Sequence, residues 1–294
     1  MRYIDLFAGI GGFRQAFDNE GYECVFTSEF NPSCQKVYEE NYGNKPSGDI
    51  TKINAKDIPD FDVLCAGIPC QPFSSCGKHK GFEDTRGTLF FDVCRIISEK
   101  KPKIVLIENV TGLVYHDNGN TFKVIKETLE SLGYIVSSSI LHATDFGLAQ
   151  ARERIIIVAA DRLFNFTFEK TKKVKVEDIL EENDEYIDKA SYTILNETKE
   201  QPSGLIFAGY MNKNTRKGTN SDLRLSRAHK QPNRIYSTKG TYPTIPSQES
   251  AGRFYIYIPE KDAVRKLTLK EVYRLFGFPD DFKRASSKGE AYNR

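Results

Sequence analysis

Over residues 1–160, short runs of β-branched and aromatic side chains alternate with stretches of helical apolar spacing. Such alternation is the mark of consecutive βαβ units around a mainly parallel sheet. It predicts strands at residues 3–7, 23–28, 62–66, 104–107, 134–141 and 154–160, and helices at 13–19, 32–41, 89–100 and 121–132. A further strand is expected to end at Gly48-Asp49-Ile50, and the strand at 104–107 to stop at Glu108-Asn109. Beyond Asp161 the alternation ceases. The stretch to Ile258 is rich in Thr, Asn, Lys and Tyr, with turn signals at Pro202-Ser203-Gly204, Lys239-Gly240 and Ser250-Ala251-Gly252. It predicts a smaller, irregular, β-rich domain. Helical spacing returns at residues 267–276, closed by Gly277 and Pro279. The fold class expected is α/β, with one domain over residues 1–162 and 263–294 and a second over 163–262.

The 294 residues suffice for one large domain or two modest ones, and 39% hydrophobic with 28% charged residues exclude a disordered or fibrous chain. The longest wholly apolar run, residues 155–160, is far shorter than the ~20 residues that cross a membrane, so no membrane partner is expected. The first residues, Met1-Arg2-Tyr3-Ile4-Asp5, place an acid where a secretory signal needs an apolar core. Six cysteines without a C-x-x-C pair are too sparse for a disulfide scaffold, which points to thiols in a reducing cytoplasm. The net charge of +2 hides a segregation. Acids cluster at Glu177-Asp178, Glu181-Glu182 and Asp184-Glu185, whereas Lys213, Arg216, Lys217, Arg224, Arg227, Lys230, Arg234 and Lys239 face the single acid Asp222. The basic segment predicts a surface for a polyanion, with an ordinary exposed loop as the alternative.

Three features carry candidate chemistry. The first strand feeds Ala8-Gly9-Ile10-Gly11-Gly12 into a helix, a turn that lets a ligand approach the main chain. Glu29 ends the second strand, at the separation where an acid holds a ribose hydroxyl, and Asp49 is expected at a third strand end on the same sheet edge. An adenosine-containing cofactor follows from this arrangement, with three unrelated strand-end polar residues as the alternative. Cys70 lies directly after a strand between Pro69 and Pro72, which stiffen a loop as a nucleophile requires. Cys24, Cys34, Cys65, Cys76 and Cys94 are read as small hydrophobes. A thiol of ordinary pKa is only a few per cent ionised at neutral pH, so a cation such as Arg152 or Arg154 would assist Cys70. Glu108, after a hydrophobic strand, faces the same edge and is suited to moving a proton, with a helix cap or surface acid as the alternative.

The segments Asp5-Leu-Phe-Ala-Gly-Ile-Gly-Gly-Phe-Arg14, Gly67-Ile-Pro-Cys-Gln-Pro-Phe-Ser74, Glu108-Asn-Val110 and Gln150-Ala-Arg-Glu-Arg154 occur in this order. Together they resemble the bacterial C5-cytosine-specific DNA methyltransferases of restriction–modification systems, over almost the whole chain. The resemblance implies a Rossmann-like methyltransferase domain, S-adenosyl-L-methionine as cofactor, double-stranded DNA as substrate and pairing with a restriction endonuclease. It makes Cys70 the nucleophile, puts Glu108 at cytosine N3, and has Arg152 and Arg154 steady the flipped ring and the nucleophile loop. It lines the cofactor with Phe7, Gly9, Ile10, Gly11 and Gly12, sets Glu29 on the ribose, Asp49 and Ile50 at the adenine with Leu89 beside them, and Pro69 near the reactive methyl. Residues 71–88 become a loop that closes on DNA, with Gln71, Ser74 and Arg86 meeting it. The second domain becomes the target recognition domain: Arg234 and Tyr236 lie in a matching motif, and Gln231 is placed to fill the hole left by the extruded base.

The chemistry accounts for these residue types. Cytosine C5 is a poor nucleophile until a thiolate adds to C6 and turns it into an enamine carbon. A group at N3 neutralises the charge that builds on the ring. The base must leave the stack, at a cost of a few kcal/mol that contacts elsewhere offset. One departure stands out: the family closes with a Gly-Asn-Ser-Val motif beside the glycine turn, where this sequence reads Ala291-Tyr292-Asn293-Arg294. A truncated sequence, or a second chain supplying the motif, is expected, with weakened cofactor affinity for this chain alone. Rival readings are a tRNA cytosine methyltransferase of the same fold, a nicotinamide-dependent dehydrogenase, which leaves Cys70 unexplained, and an inactive DNA-binding module.

Overall fold

The computed structural model describes residues 1–69, 89–212, 231–245 and 253–283. In chain order the strands are β1 (Arg2–Leu6), β2 (Glu23–Ser28), β3 (Val63–Gly67), β4 (Ile104–Val110), β5 (Ile135–His142), β6 (Gln150–Ala151), β7 (Glu153–Ala160), β8 (Tyr192–Ile194), β9 (Phe207–Met211), β10 (Arg234–Ser237), β11 (Tyr242–Pro243), β12 (Tyr255–Ile258) and β13 (Ala263–Lys266). The α-helices are α1 (Gly12–Asn19), α2 (Pro32–Tyr42), α3 (Leu89–Lys100), α4 (Asn120–Ser131) and α5 (Leu269–Leu275). The chain divides into two compact units, Met1–Leu141 with Glu153–Phe168, and His142–Arg152 with Glu169–Arg294.

The first unit is built on a six-stranded sheet of order β2-β1-β3-β4-β7-β5. The β2/β1, β1/β3 and β3/β4 pairs are parallel, and β4/β7 is antiparallel. Period-2 alternation explains why the central strands look hydrophobic throughout. Ile4, Leu6, Leu64, Ala66, Val105 and Ile107 enter one core, which α3 joins through Phe90, Val93, Cys94 and Ile97 and α4 through Ile125 and Leu129. Tyr3, Val63 and Cys65 enter a second cluster with Phe13 and Phe17 of α1. Helix α2 is bounded by local chemistry: Asn31 Oδ1 accepts the Ser33 N–H at 2.9 Å, Pro32 opens the first turn, and Gly43 closes the helix at φ +75°.

Two expected strand ends differ. Asp49 ends no strand; its Oδ1 accepts from the Thr51 N–H at 3.1 Å and the Thr51 hydroxyl at 2.8 Å, and it caps a single 3-10 turn, Ile50–Lys52. An acid that caps a turn and one that ends a strand are alike in local sequence. Glu108 and Asn109 lie inside β4 rather than beyond it, because β7 pairs antiparallel with β4 as far as Val110↔Arg154. That partner is remote in sequence and extends the strand past its hydrophobic run.

The second unit contains a five-stranded sheet of order β13-β12-β10-β9-β8 and a two-stranded one of β11 and β6. Its main core joins Val176, Phe207, Tyr236, Tyr242, Ile256 and Leu275. The segment 263–283, expected with the first domain, packs its buried side chains here: Val264 against Ile235, and Val272 and Leu275 in the main core. Helix α5 is fixed by a capping box, in which Thr268 Oγ1 accepts the Glu271 N–H at 3.1 Å and Glu271 Oε2 accepts the Thr268 N–H at 2.8 Å. Arg265 donates to both oxygens of Glu271, at 2.8 and 2.7 Å, in a buried fork. Tyr236 requires a correction as well. It is only 4% exposed, with its ring 6.2 Å from that of Phe207 and 5.5 Å from that of Tyr242, so it is a core residue and not a DNA contact.

Two stability tests follow. Asp5 is fully buried in β1, and among the described residues neither carboxyl oxygen meets a donor at hydrogen-bonding geometry. Burial pushes its pKa from 3.8 up to about 8, with the nearby Arg14 backbone amide opposing the shift. The folded state therefore holds a proton that the unfolded state has lost between those values. The contribution is fully present below pH 3.8, declines as pH rises, and is gone above about 8. Asp5→Asn, which keeps the shape of the neutral acid, should flatten the fall in melting temperature between pH 5 and 8; an unchanged pH slope would contradict the assignment. Tyr236→Ala should cost about 3–5 kcal/mol in denaturant unfolding, as for other buried aromatic truncations. A normal unfolding midpoint with weakened DNA binding would restore the surface role.

Candidate active site at the carboxyl edge of the first sheet

The chain runs from β1 outward to β2, then crosses back so that β3 pairs on the other side of β1. The carboxyl ends of β1 and β3 therefore flank a topological switch point, where open α/β sheets bind ligands. Residues 7–12 occupy that point. Phe7 has φ +56°, a left-handed conformation that non-glycine residues seldom adopt, and Gly9 and Gly11 follow at φ +57° and +95°. This backbone is held from β2. The Ala8 N–H donates to the Ser28 carbonyl at 3.1 Å, and the Gly9 N–H donates to Glu29 Oε2 at 2.9 Å. Glu29 is 7% exposed, and its Oε1 accepts the Asn31 N–H at 2.7 Å. Among the described residues, an added Cβ at Gly9 or Gly12 would meet nothing within 4 Å.

The structure thus brings Phe7, Gly9, Ile10, Gly11, Gly12 and Glu29 together at one edge. Ile50 is buried in the core that Leu89 also packs against. Asp49 stands at the surface, and the hydroxyl and amide of Thr51 hold its carboxyl below the usual carboxylate range. Sequence reasoning passed over Phe30, which follows Glu29 and is 71% exposed. An aromatic face left to solvent beside a buried acid is apt for stacking a planar base. Its signal in the sequence is only its place, between a strand-end acid and the helix cap Asn31.

A second group of residues lies on β3, β4 and β7. Glu108 is in register with Gly67 of β3 and Ile156 of β7. The Arg154 Nε lies 2.7 Å from Glu108 Oε1, and Arg154 Nη1 donates to the Glu153 carbonyl at 2.7 Å. Asn109, buried beside Glu108, donates from Nδ2 to the Ile68 carbonyl at 3.1 Å while its Oδ1 accepts the Val110 N–H at 2.8 Å. The exit of β3 toward exposed Pro69 is thereby tied to the strand that carries Glu108. Cys70, Gln71, Ser74 and Arg86 lie outside the described residues.

Arg152 belongs to the second unit, where its guanidinium carbon stands 5.6 Å from the centre of the Phe276 ring. Arg234 opens β10 half-buried, in register with Tyr210, and Gln231 begins a short 3-10 turn, Gln231–Asn233. Most of the basic segment, residues 213–230, is outside the described residues. Among the described residues no helix is long and apolar enough to cross a membrane.

A buried carboxylate at a left-handed turn, an exposed aromatic beside it, and a carboxylate–guanidinium pair level with the exit of β3 together suit nucleoside binding next to proton-handling groups. Comparison with known proteins agrees. The chain is 42% identical to the type II methyltransferase M.HhaI of Haemophilus parahaemolyticus, over 100% of this chain and 89% of that protein. It is 44% identical to the type II methyltransferase M.HaeII of Haemophilus aegyptius, over 95% of this chain and 82% of that protein. Its fold resembles the crystal structure of the S. pombe Dnmt2 methyltransferase, with a TM-score of 0.63 at 18% identity, covering 100% of this chain and 92% of that one. The model of the C-5 cytosine-specific DNA methylases matches residues 1–294, and the chain belongs to that family, whose members methylate carbon 5 of cytosine in DNA.

Proposed function

We propose that this chain transfers a methyl group from S-adenosyl-L-methionine to C5 of a cytosine flipped out of a specific site in double-stranded DNA, through a covalent adduct between Cys70 and C6. The observation that carries the reading is one of register. Glu108 is level with Gly67, three residues before Cys70, and the turn held by Glu29 ends the adjacent strand β1. The acid, the cofactor turn and the end of the strand that leads toward Cys70 then share one sheet edge.

The residues present fit the cofactor. Glu29 offers buried carboxylate oxygens to ribose hydroxyls, the main chain at Gly9 and Gly12 admits close approach, and Phe30 offers a face to the adenine. S-adenosyl-L-methionine supplies a sulfonium methyl group to which a carbon nucleophile can bond. The Cys70 thiolate adds to C6, which breaks the ring's aromaticity and makes C5 that nucleophile. Glu108 handles the proton or hydrogen bond at N3, and Arg154 holds its carboxylate in place. Methylation of C5 leaves the donor as neutral S-adenosylhomocysteine; the C5 proton then passes to solvent, its bonding pair re-forms the C5=C6 bond, and Cys70 leaves as thiolate. Asn109 ties Ile68, two residues before Cys70, to β4.

Target recognition falls to residues 163–262, with Arg234 and the basic segment on phosphates and bases. The type II naming of the relatives supports a role alongside a restriction endonuclease, protecting host DNA in the cytoplasm. The test uses random-sequence DNA duplexes in which 5-fluorocytosine replaces cytosine, because fluorine at C5 blocks the final proton loss. With labelled S-adenosyl-L-methionine, wild type should form an adduct that survives denaturation, and Cys70→Ser should form none. An adduct that persists in Cys70→Ser, or a methylating wild type that traps none, would refute the mechanism.

A further inference from the structure

The glycine turn is held from a second side by a residue that the reaction does not use. Tyr42 is the last residue of α2, and its hydroxyl donates to the Gly11 carbonyl at 2.9 Å. The approach is close: a Cβ added at Gly11 would collide with the Tyr42 ring at Cε2. Gly11 is therefore required twice, by its φ of +95° and by the ring packed against it. The tyrosine is itself oriented. Its ring centre is 4.7 Å from that of Tyr38, and the Arg14 guanidinium carbon lies 5.2 Å from it. Arg14 is held in turn by Asp18 at 2.5 Å and by Asn44 Oδ1 at 3.1 Å.

Helix α2 thus grips the turn with both ends. Glu29, just ahead of its cap, accepts a hydrogen bond from the Gly9 N–H, and Tyr42, at its last residue, donates one to the Gly11 carbonyl. The carbonyl of residue 11 and the N–H of residue 12 belong to one planar trans peptide and point in opposite directions. The same carbonyl accepts the Gln15 N–H at 2.9 Å, the first bond of α1, so the Tyr42 hydroxyl is the second donor that fixes the Gly11 oxygen and, through the peptide plane, the Gly12 N–H on its opposite side.

We infer that Tyr42 is a positioning residue for the methyl donor, whose hydroxyl sets cofactor affinity by holding the Gly11–Gly12 peptide in its binding orientation. The inference rests on reading residues 7–12 as the cofactor site. Tyr42 touches no reacting atom, so its loss should appear in binding and not in chemistry.

The experiment compares full-length wild type, Tyr42→Phe and Glu29→Ala, measuring Kd for S-adenosylhomocysteine, KM for S-adenosyl-L-methionine and for DNA, kcat and melting temperature. Tyr42→Phe removes one oxygen and keeps the ring. It should raise the Kd and KM for the cofactor roughly three- to tenfold, the weight of one hydrogen bond. Its kcat at saturating cofactor and its KM for DNA should stay near wild type. Wild-type cofactor affinity in Tyr42→Phe overturns the inference. So does a loss spread equally over cofactor, DNA and kcat, which would mark a purely structural tyrosine. Glu29→Ala separates the two levels: if it binds cofactor as tightly as wild type, the site reading fails; if it loses affinity while Tyr42→Phe does not, only the role of Tyr42 fails.

Discussion

A buried carboxylate must find donors, and the way Glu29 finds them shapes the working edge of this protein. Its two oxygens take the N–H groups of Gly9 and Asn31, one from the turn after β1 and one from the cap of α2. Charge-assisted bonds of this kind are roughly twice as strong as neutral ones. They hold together a turn that would otherwise be unfavourable, since Phe7 sits in left-handed space without the excuse of being glycine. The acceptor capacity that remains on the carboxylate, beside the exposed ring of Phe30, is what a nucleoside would meet.

The rest of the edge follows from strand order. Because β3 and β4 run parallel to β1, their carboxyl ends arrive at the same side, which brings Glu108 level with Gly67. The antiparallel β7 then delivers Arg154 to Glu108 from the opposite chain direction. A parallel strand at that place would have presented its amino-terminal residues at the other end of the sheet. The reversal between β4 and β7 thus places the guanidinium beside the acid.

Much of the first unit is legible in the sequence because its signals are local. Asn31-Pro32 and Gly43 bound α2, and the spacing of Phe90, Val93, Cys94 and Ile97 defines α3. The glycine turn, Glu29 and Glu108 were found because strand ends, acids and glycines coincide there. What the sequence concealed depends on partners distant along the chain. Glu108 lies within β4 only because β7 pairs with it, and residues 263–275 pack in the second unit through Val264, Val272 and Leu275. The motif that holds Tyr236 implies a DNA contact, whereas Phe207 and Tyr242 pack around its ring. Phe30 was missed for the converse reason: an exposed aromatic has no periodic pattern to announce it.

The central claim is that the edge formed by residues 7–12 and Glu29 receives the methyl donor. The most direct measurement is a crystal structure of the protein with S-adenosylhomocysteine. The account predicts the ribose hydroxyls within hydrogen-bonding distance of the Glu29 carboxylate and the adenine against Phe30. A nucleoside bound elsewhere, with Glu29 still facing only Gly9 and Asn31, would contradict it.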